Sequence, residues 1–200
     1  MKLYHSPTSP FARKVRVLIR EKGALAQVTE ETAAAMSDPQ SLIAANPLGK
    51  VPALMLKDGT SFFDSPLICE YLDATLDGPK FFPAAGPERW RALRFQALAD
   101  GIMDAAVSLV FEMNRPEAER SEMWMTRWRR AVARSLDLLE QEVSLLDAPL
   151  DIGGIATGAA LGYLDFRHAA MNWRTQAPEL AGWWRDMAKR PSFAETAPPA

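Results

Sequence analysis

Residues 46–54 read Asn46-Pro47-Leu48-Gly49-Lys50-Val51-Pro52-Ala53-Leu54, with a Val-Pro bond directly before a short apolar run. Because only X-Pro bonds take the cis form at modest free-energy cost, mainly in tight turns, we predict a cis peptide between Val51 and Pro52. A residue held outside the strand pairing leaves its N–H and C=O open to an extended peptide. The segment therefore indicates a place that holds a small peptide by its backbone. The alternative is an ordinary turn between a helix and a strand.

Composition and charge exclude several classes of protein. The 200 residues are 48% hydrophobic and 24% charged, which is ordinary for a globular chain. A formal net charge of -2 lacks the basic excess of a nucleic-acid binder. No apolar run is long enough to span a bilayer and the start has no leader pattern, so we expect a cytoplasmic protein with no membrane partner. A single cysteine, Cys69, excludes an internal disulfide and a four-cysteine metal site, and we expect no metal.

The first part of the chain alternates strand and helix patterns. Predicted strands cover residues 2–5, 26–31, 51–57 and 60–63, and the last two form an antiparallel hairpin around Asp58-Gly59. Ser9 as N-cap with Pro10 at the first position, and Ser65 with Pro66, mark two helix starts. A helix or loop is expected over residues 39–45. This order is typical of a thioredoxin-like α/β domain.

Strand patterns stop after a turn-rich bridge. We therefore expect an α/β domain over residues 1–78, a linker over 79–86 and an all-helical domain over 87–200. Apolar residues at helical spacing predict long helices through 98–109 and 132–146, a central buried helix over 155–171 and a last helix over 178–189. The basic clusters at 13–20 and 127–134 are expected to be solvated helix faces.

Three separated motifs resemble those of the glutathione transferase superfamily. They are residues 46–54 together with Tyr4-His5-Ser6-Pro7-Thr8-Ser9-Pro10-Phe11-Ala12-Arg13-Lys14-Val15-Arg16 and Phe62-Phe63-Asp64-Ser65-Pro66-Leu67-Ile68-Cys69-Glu70-Tyr71-Leu72. The resemblance implies a thioredoxin-like N-terminal domain followed by an all-helical domain, in a cytoplasmic homodimer. The resemblance also implies that Asp151 is the N-cap of the central helix. The second domain departs from the pattern, because Gly154 stands where the superfamily usually completes a capping box.

The resemblance also implies glutathione as co-substrate and a role for several residues. Val51, beside Pro52, would pair with the cysteinyl main chain. Ser65, at a helix N-terminus, would bind the γ-glutamyl carboxylate, and Asp64 would take the α-ammonium group. Lys50 would reach the glycyl carboxylate. Phe11 would complete the glutathione site beside Ser9.

Ser9 is the candidate for activating the thiol. It lies where glutaredoxin-like proteins carry their reactive cysteine, and serine-type (theta- or zeta-like) transferases place their catalytic serine there. A donated hydroxyl hydrogen and a helix dipole both favour the thiolate. The alternatives are that Ser9 is only a helix cap, or that Tyr4 is the donor, as in another transferase branch. Thr8, Phe111, Trp124 and Trp128 are the candidates for walls of a hydrophobic electrophile pocket.

The sequence therefore predicts a glutathione S-transferase that adds the thiol to a hydrophobic electrophile. One alternative is a non-catalytic protein of this fold that binds or regulates a partner. Others are a glutathione-dependent dehalogenase, isomerase or peroxidase, since one fold hosts many reactions. Glutaredoxin-like disulfide reduction is disfavoured, because Ser9 and Ala12 leave the motif without a thiol.

Overall fold

The computed structural model describes residues 1–146 and 149–199, which form two compact units. The first comprises Met1–Trp90 together with the end of the chain from Arg190, and the second is Arg91–Lys189. The strands are β1 (Lys2–His5), β2 (Thr29–Thr32), β3 (Ala53–Met55) and β4 (Ser61–Phe62). The α-helices are α1 (Pro10–Glu21), α2 (Gln40–Ala45), α3 (Ser65–Thr75), α4 (Gly86–Met113), α5 (Glu122–Gln141), α6 (Ile152–Arg167), α7 (Trp173–Gln176), α8 (Pro178–Met187) and α9 (Pro191–Ala194).

The strands of the first unit form one sheet in the order β2-β1-β3-β4. β1 runs parallel to β2, and β3 is antiparallel to both β1 and β4. The strands alternate with helices before the final hairpin, so the thioredoxin-like domain predicted from the sequence is confirmed. β2 begins at Thr29, three residues later than predicted, because a 3-10 turn occupies Leu25–Gln27.

Helix α1 begins and ends at the capping residues that the sequence predicts. Ser9 is the N-cap and its side chain accepts a hydrogen bond from Ala12 N–H. Pro10 takes the first helical position, where its missing N–H removes no helical bond. Gly23 follows the helix with φ +65°, a left-handed conformation that favours glycine, and donates to Arg20 C=O.

Two predictions about the helices of this unit are wrong. Ser65 does not cap α3: Asp64 has the extended N-cap backbone and its C=O accepts from Ile68 N–H, which makes Ser65 the first helical residue. The basic cluster of α1 is not a solvated face either, because Arg13 and Lys14 are buried. Arg13 contacts the end of the chain, which the helical periodicity of α1 does not reveal.

The end of the chain packs along α1. Arg190 donates two hydrogen bonds to the Glu21 carboxylate, at 2.9 and 2.7 Å, and Ser192 Oγ donates a third. Arg13 donates to Phe193 C=O at 3.0 Å, and the Phe193 ring is fully buried. The last short helix therefore belongs to the first unit, beyond the helix that the sequence predicted as the last.

A buried ion pair connects α1, α3 and the segment after α3. Lys22 Nζ lies 3.2 Å from Asp73 Oδ1 and also donates to Pro79 C=O. The same carboxylate accepts from the N–H groups of Phe81 and Phe82 at 2.9 and 3.2 Å. Asp73 thus satisfies three donors from two segments, which fixes the path of the chain as it leaves α3.

In the second unit, α6 forms the core, as predicted. Its residues from Ile152 to Leu164 are buried, and Asp151 caps it by accepting from Gly154 N–H at 3.0 Å. Asp165, in the last turn of α6, has a structural role. Its carboxylate accepts from both Trp173 and Trp184 Nε1–H and pairs with Arg174 at 2.7 Å. Within the described residues, every helix is too short or too polar to cross a bilayer.

Substituting Asp73 tests the buried ion pair. Asp73→Ala leaves the buried Lys22 ammonium without its anionic partner and two backbone N–H groups without their acceptor. We therefore expect the free energy of unfolding to fall by about 3–5 kcal/mol. Urea denaturation monitored by circular dichroism measures this. The matched control is Asp186→Ala, which removes an exposed pair with Lys189 and should change the free energy of unfolding far less. Similar losses in both variants would contradict the assignment.

The Glu21–Arg190 contact predicts a pH dependence of stability. Hydrogen bonding from Arg190 holds the pKa of Glu21 below the ordinary carboxyl value of 4.5. A depressed folded-state pKa stabilises the fold above the unfolded value, and the stabilisation is lost as pH falls through the folded value. Arg190→Met should therefore lower Tm at neutral pH, and the difference from the wild type should disappear well below pH 4.5. A difference in Tm that persists in acid would refute this.

Candidate functional site

Strand pairing brings three loops to one end of the sheet. Tyr4 pairs with Ala53 near the end of β1 and the start of β3, and Leu54 pairs with Phe62 at the end of β4. Neighbouring strands lie about 4.8 Å apart, so the loops after β1, before β3 and after β4 are adjacent. These loops carry Ser9, Val51 and Ser65, which lie 42 and 14 residues apart in the sequence.

Ser9 is held in a tight turn with its hydroxyl half-buried. Its Oγ accepts from Ala12 N–H at 3.2 Å, and its C=O accepts from Arg13 N–H at 3.0 Å. Its own N–H donates to Ser6 C=O at 3.1 Å. A serine hydroxyl that accepts a hydrogen bond can still donate its own hydrogen to another acceptor. The geometry therefore leaves a donor at the N-terminus of α1.

The Val51–Pro52 bond is cis, as predicted. Pairing of β3 with β1 begins at Ala53, so Val51 lies outside the ladder. In the part of the chain that the structure describes, its N–H and C=O make no hydrogen bond with another backbone group. Val51 is only partly buried and presents both groups at the end of the sheet.

Asn46 shapes the loop before Val51, a role that the sequence analysis did not assign. Its buried side chain accepts from Leu48 N–H at 3.0 Å and donates to Lys50 C=O at 2.8 Å. Gly49 adopts φ +65°, and a Cβ there would meet Asp38 Oδ1 at 3.0 Å. The signal was present in the sequence, since Asn before Pro-Leu-Gly is typical of a turn closed by its own side chain.

The start of α3 offers a second polar site. Ser65 is 1% exposed, and its Oγ has no hydrogen-bond partner in the described residues. Asp64 is exposed, and its carboxylate makes no capping hydrogen bond. α1 and α3 both begin at this end of the sheet, so two positive dipole ends and their free N–H groups face the same region. This arrangement favours an anion.

The remaining predicted residues of the first unit lie next to these groups in the chain. Lys50 is exposed, with its C=O held by Asn46. Phe11 is half-buried in the first turn of α1. Thr8 Oγ1 lies 3.2 Å from Ser6 Oγ, which makes a hydroxyl pair in the turn before Ser9.

In the second unit, Trp124 and Trp128 stack on α5 with ring centroids 5.8 Å apart. Trp124 borders a cavity of about 620 Å³ whose other lining residues are Glu122, Met123, Thr126, Arg127, Arg130 and Arg134. The arginines are exposed, as expected for a solvated face. Phe111, near the end of α4, is also exposed. That Thr8, Phe111, Trp124 and Trp128 wall one electrophile pocket stays a prediction.

The competing candidates Tyr4, His5 and His168 are buried. Tyr4 is buried in an apolar cluster with Ala33, Leu42, Ala45 and Ala53. Burial lowers the pKa of His5, whose Nδ1 has no hydrogen-bond partner among the described residues. Burial likewise lowers the pKa of His168, which contacts Ala106 C=O. Residues 1–146 and 149–199 contain no cluster of three or more His, Cys, Asp or Glu that could hold a metal ion.

Comparison with known proteins gives matches over the full chain. A family profile described as glutathione S-transferase, N-terminal domain, matches residues 3–80. The uncharacterized GST-like protein YibF of Escherichia coli K12 is 39% identical over 100% of this chain and 99% of that protein. A glutathione transferase family member from Pseudomonas fluorescens Pf-5 with bound glutathione has a TM-score of 0.96 and 41% identity, over 100% of this chain and 99% of that one. Another structure from that organism, with bound S-(propanoic acid)-glutathione, has a TM-score of 0.92 and 41% identity, covering both chains fully.

Amide hydrogen exchange tests the role of Asn46. In Asn46→Ala the Leu48 N–H loses its acceptor, so we expect its exchange to speed up by about tenfold or more, corresponding to about 1–3 kcal/mol. The Val51 amide should exchange rapidly in both proteins. The matched control is Asp58→Ala, which removes the equivalent side-chain bond to Thr60 N–H at the opposite end of β3. Unchanged protection of Leu48 in Asn46→Ala would show that the side chain does not order the loop.

Proposed function

The chain belongs to the glutathione S-transferase family, and we propose that it is a serine-type member that activates the glutathione thiol for attack on a hydrophobic electrophile. The observation that carries the proposal is the shared end of the sheet, where the loops bearing Ser9, Val51 and Ser65 are adjacent. Three extended residues span about 10 Å, so one tripeptide can reach all three loops.

Each part of glutathione has a complementary group at this end. The cysteinyl main chain pairs with the N–H and C=O of Val51, as an added strand would. The γ-glutamyl carboxylate accepts from the buried Ser65 hydroxyl and from N–H groups at the start of α3. Asp64, exposed and unused in capping, binds the ammonium group. Lys50 reaches the glycyl carboxylate, and Phe11 contacts the ligand beside Ser9.

Ser9 stabilises the thiolate. A hydrogen bond to a charged acceptor contributes about 1.5–3 kcal/mol, equivalent to about 1–2 pKa units of the bound thiol. Ionisation alone gives only about a threefold gain in rate, because nucleophilicity falls as the thiol pKa falls. Most of the acceleration must come from holding the electrophile beside the sulfur. We assign that task to Thr8, Phe111, Trp124 and Trp128, in a cytoplasmic homodimer.

Two serine variants separate binding from activation. Ser9→Ala should raise the pKa of the bound thiol by about 1–2 units and lower turnover of a chlorodinitrobenzene at neutral pH by at least about threefold. Ser65→Ala should weaken glutathione binding by about tenfold and leave the thiol pKa of the bound ligand unchanged. Ultraviolet absorbance of the thiolate, steady-state rates and calorimetry measure these effects.

The control is Ser61→Ala, at the opposite end of β4, which should change neither quantity. Wild-type protein that binds glutathione without turning over any electrophile would favour a non-catalytic binding protein. A thiol pKa that is identical in Ser9→Ala and the wild type would exclude Ser9 as the activating group.

A further inference from the structure

The residues that follow α8 hold α1 at three points along its length. Near the start of the helix, Arg13 donates to Phe193 C=O at 3.0 Å and its guanidinium lies over the Phe193 ring. Near the end, Arg20 Nε lies 3.2 Å from Glu195 Oε2. At the last residue of the helix, Glu21 accepts from Arg190 and Ser192. We call residues 190–196 the strap.

The strap is itself ordered by internal contacts. Thr196 Oγ1 donates to Ser192 C=O at 2.7 Å and is the acceptor for Arg13 Nε. Thr196 and Phe193 are both fully buried. A buried guanidinium is costly unless its donors are satisfied, so few arrangements of Arg13 are compatible with the folded strap. The contact at Arg13 therefore restricts the position of the first turn of α1.

That turn carries Ser9. The Arg13 N–H donates to Ser9 C=O at 3.0 Å, the first hydrogen bond of the helix. Arg13 follows Ser9 by one turn, so a shift of its backbone moves the Ser9 hydroxyl with it. Neither Val51 nor Ser65 lies on this helix. A change at Arg13 can therefore displace the group proposed to meet the sulfur while leaving the groups proposed to hold the tripeptide in place.

We propose that Arg13 and the strap form a positioning element for Ser9, setting the distance between its hydroxyl and the glutathione sulfur. This inference rests on the proposed function. Arg13 touches no substrate group in this scheme and acts only through Ser9. A misplacement of about 1 Å in a catalytic group can cost about a hundredfold in rate, so modest movement of α1 is sufficient to matter.

The test compares two arginines of the same helix. Arg13→Met removes the donors to the strap, whereas the control Arg16→Met removes a pair with Glu30 on β2 at 2.8 Å and leaves the strap intact. We expect Arg13→Met to raise the pKa of the bound glutathione thiol by about one unit and to lower kcat about tenfold. The KM for glutathione should stay within about threefold of the wild-type value. Arg13→Lys, which keeps one donor and the charge, should recover part of the loss.

Arg16→Met should lower Tm while leaving the thiol pKa and kcat unchanged. If kcat and the thiol pKa change equally in Arg13→Met and Arg16→Met, the effect comes from destabilising α1 as a whole, and the proposal is overturned. So would an Arg13→Met protein that loses Tm but keeps the wild-type thiol pKa.

A further measurement separates this inference from the proposed function. Amide exchange in the first turn of α1, measured on the full chain without ligand, should rise in Arg13→Met and not in Arg16→Met. If the wild type binds no glutathione, the proposed function fails, whereas the exchange result still reports on the strap. The wild type could instead bind glutathione and conjugate it, with first-turn exchange rates equal in the wild type and both variants. That result would refute the role of the strap and leave the proposed function standing.

Discussion

The antiparallel pairing of β3 with β1 is the constraint on which the candidate site depends. It sets Tyr4 opposite Ala53, and a shift of one residue would turn every side chain of β3 to the other face of the sheet. The short strand begins directly after Pro52, so pairing cannot extend to Val51. Pairing of β3 with β4 then fixes the end of β4 and hence the start of α3. These two strand pairings together determine which groups meet at the end of the sheet.

The topology of the first unit explains the positive potential at the end of the sheet that carries Ser9, Val51 and Ser65. Both α1 and α3 begin at this end, so their unpaired N–H groups and positive dipole ends lie at the same end of the sheet. The buried Ser65 hydroxyl adds a donor or acceptor that makes no hydrogen bond with residues 1–146 or 149–199. A buried polar group without a partner costs free energy, and a ligand carboxylate can recover it. A fold with little net charge can therefore bind an anionic peptide.

The parts of the site that are determined by residues adjacent in the chain could be predicted from the sequence. Ser9-Pro10 marks a helix start, Val51-Pro52 a cis turn, and Asp58-Gly59 a hairpin, because each signal resides in two adjacent residues. The boundary at Asp64 and Ser65 was misjudged by one position because both residue types are good N-caps. The burial of Arg13 was unpredictable because its partners, Phe193 and Thr196, lie about 180 residues further along the chain and show no periodic pattern.

A crystal structure with bound glutathione tests the central claim most directly. The account predicts that the cysteinyl N–H and C=O lie within about 2.7–3.2 Å of the Val51 C=O and N–H, and that one γ-glutamyl carboxylate oxygen lies equally close to Ser65 Oγ. The sulfur should then be within hydrogen-bonding reach of Ser9 Oγ. A tripeptide bound away from Val51, or one whose sulfur points away from the start of α1, would contradict the account.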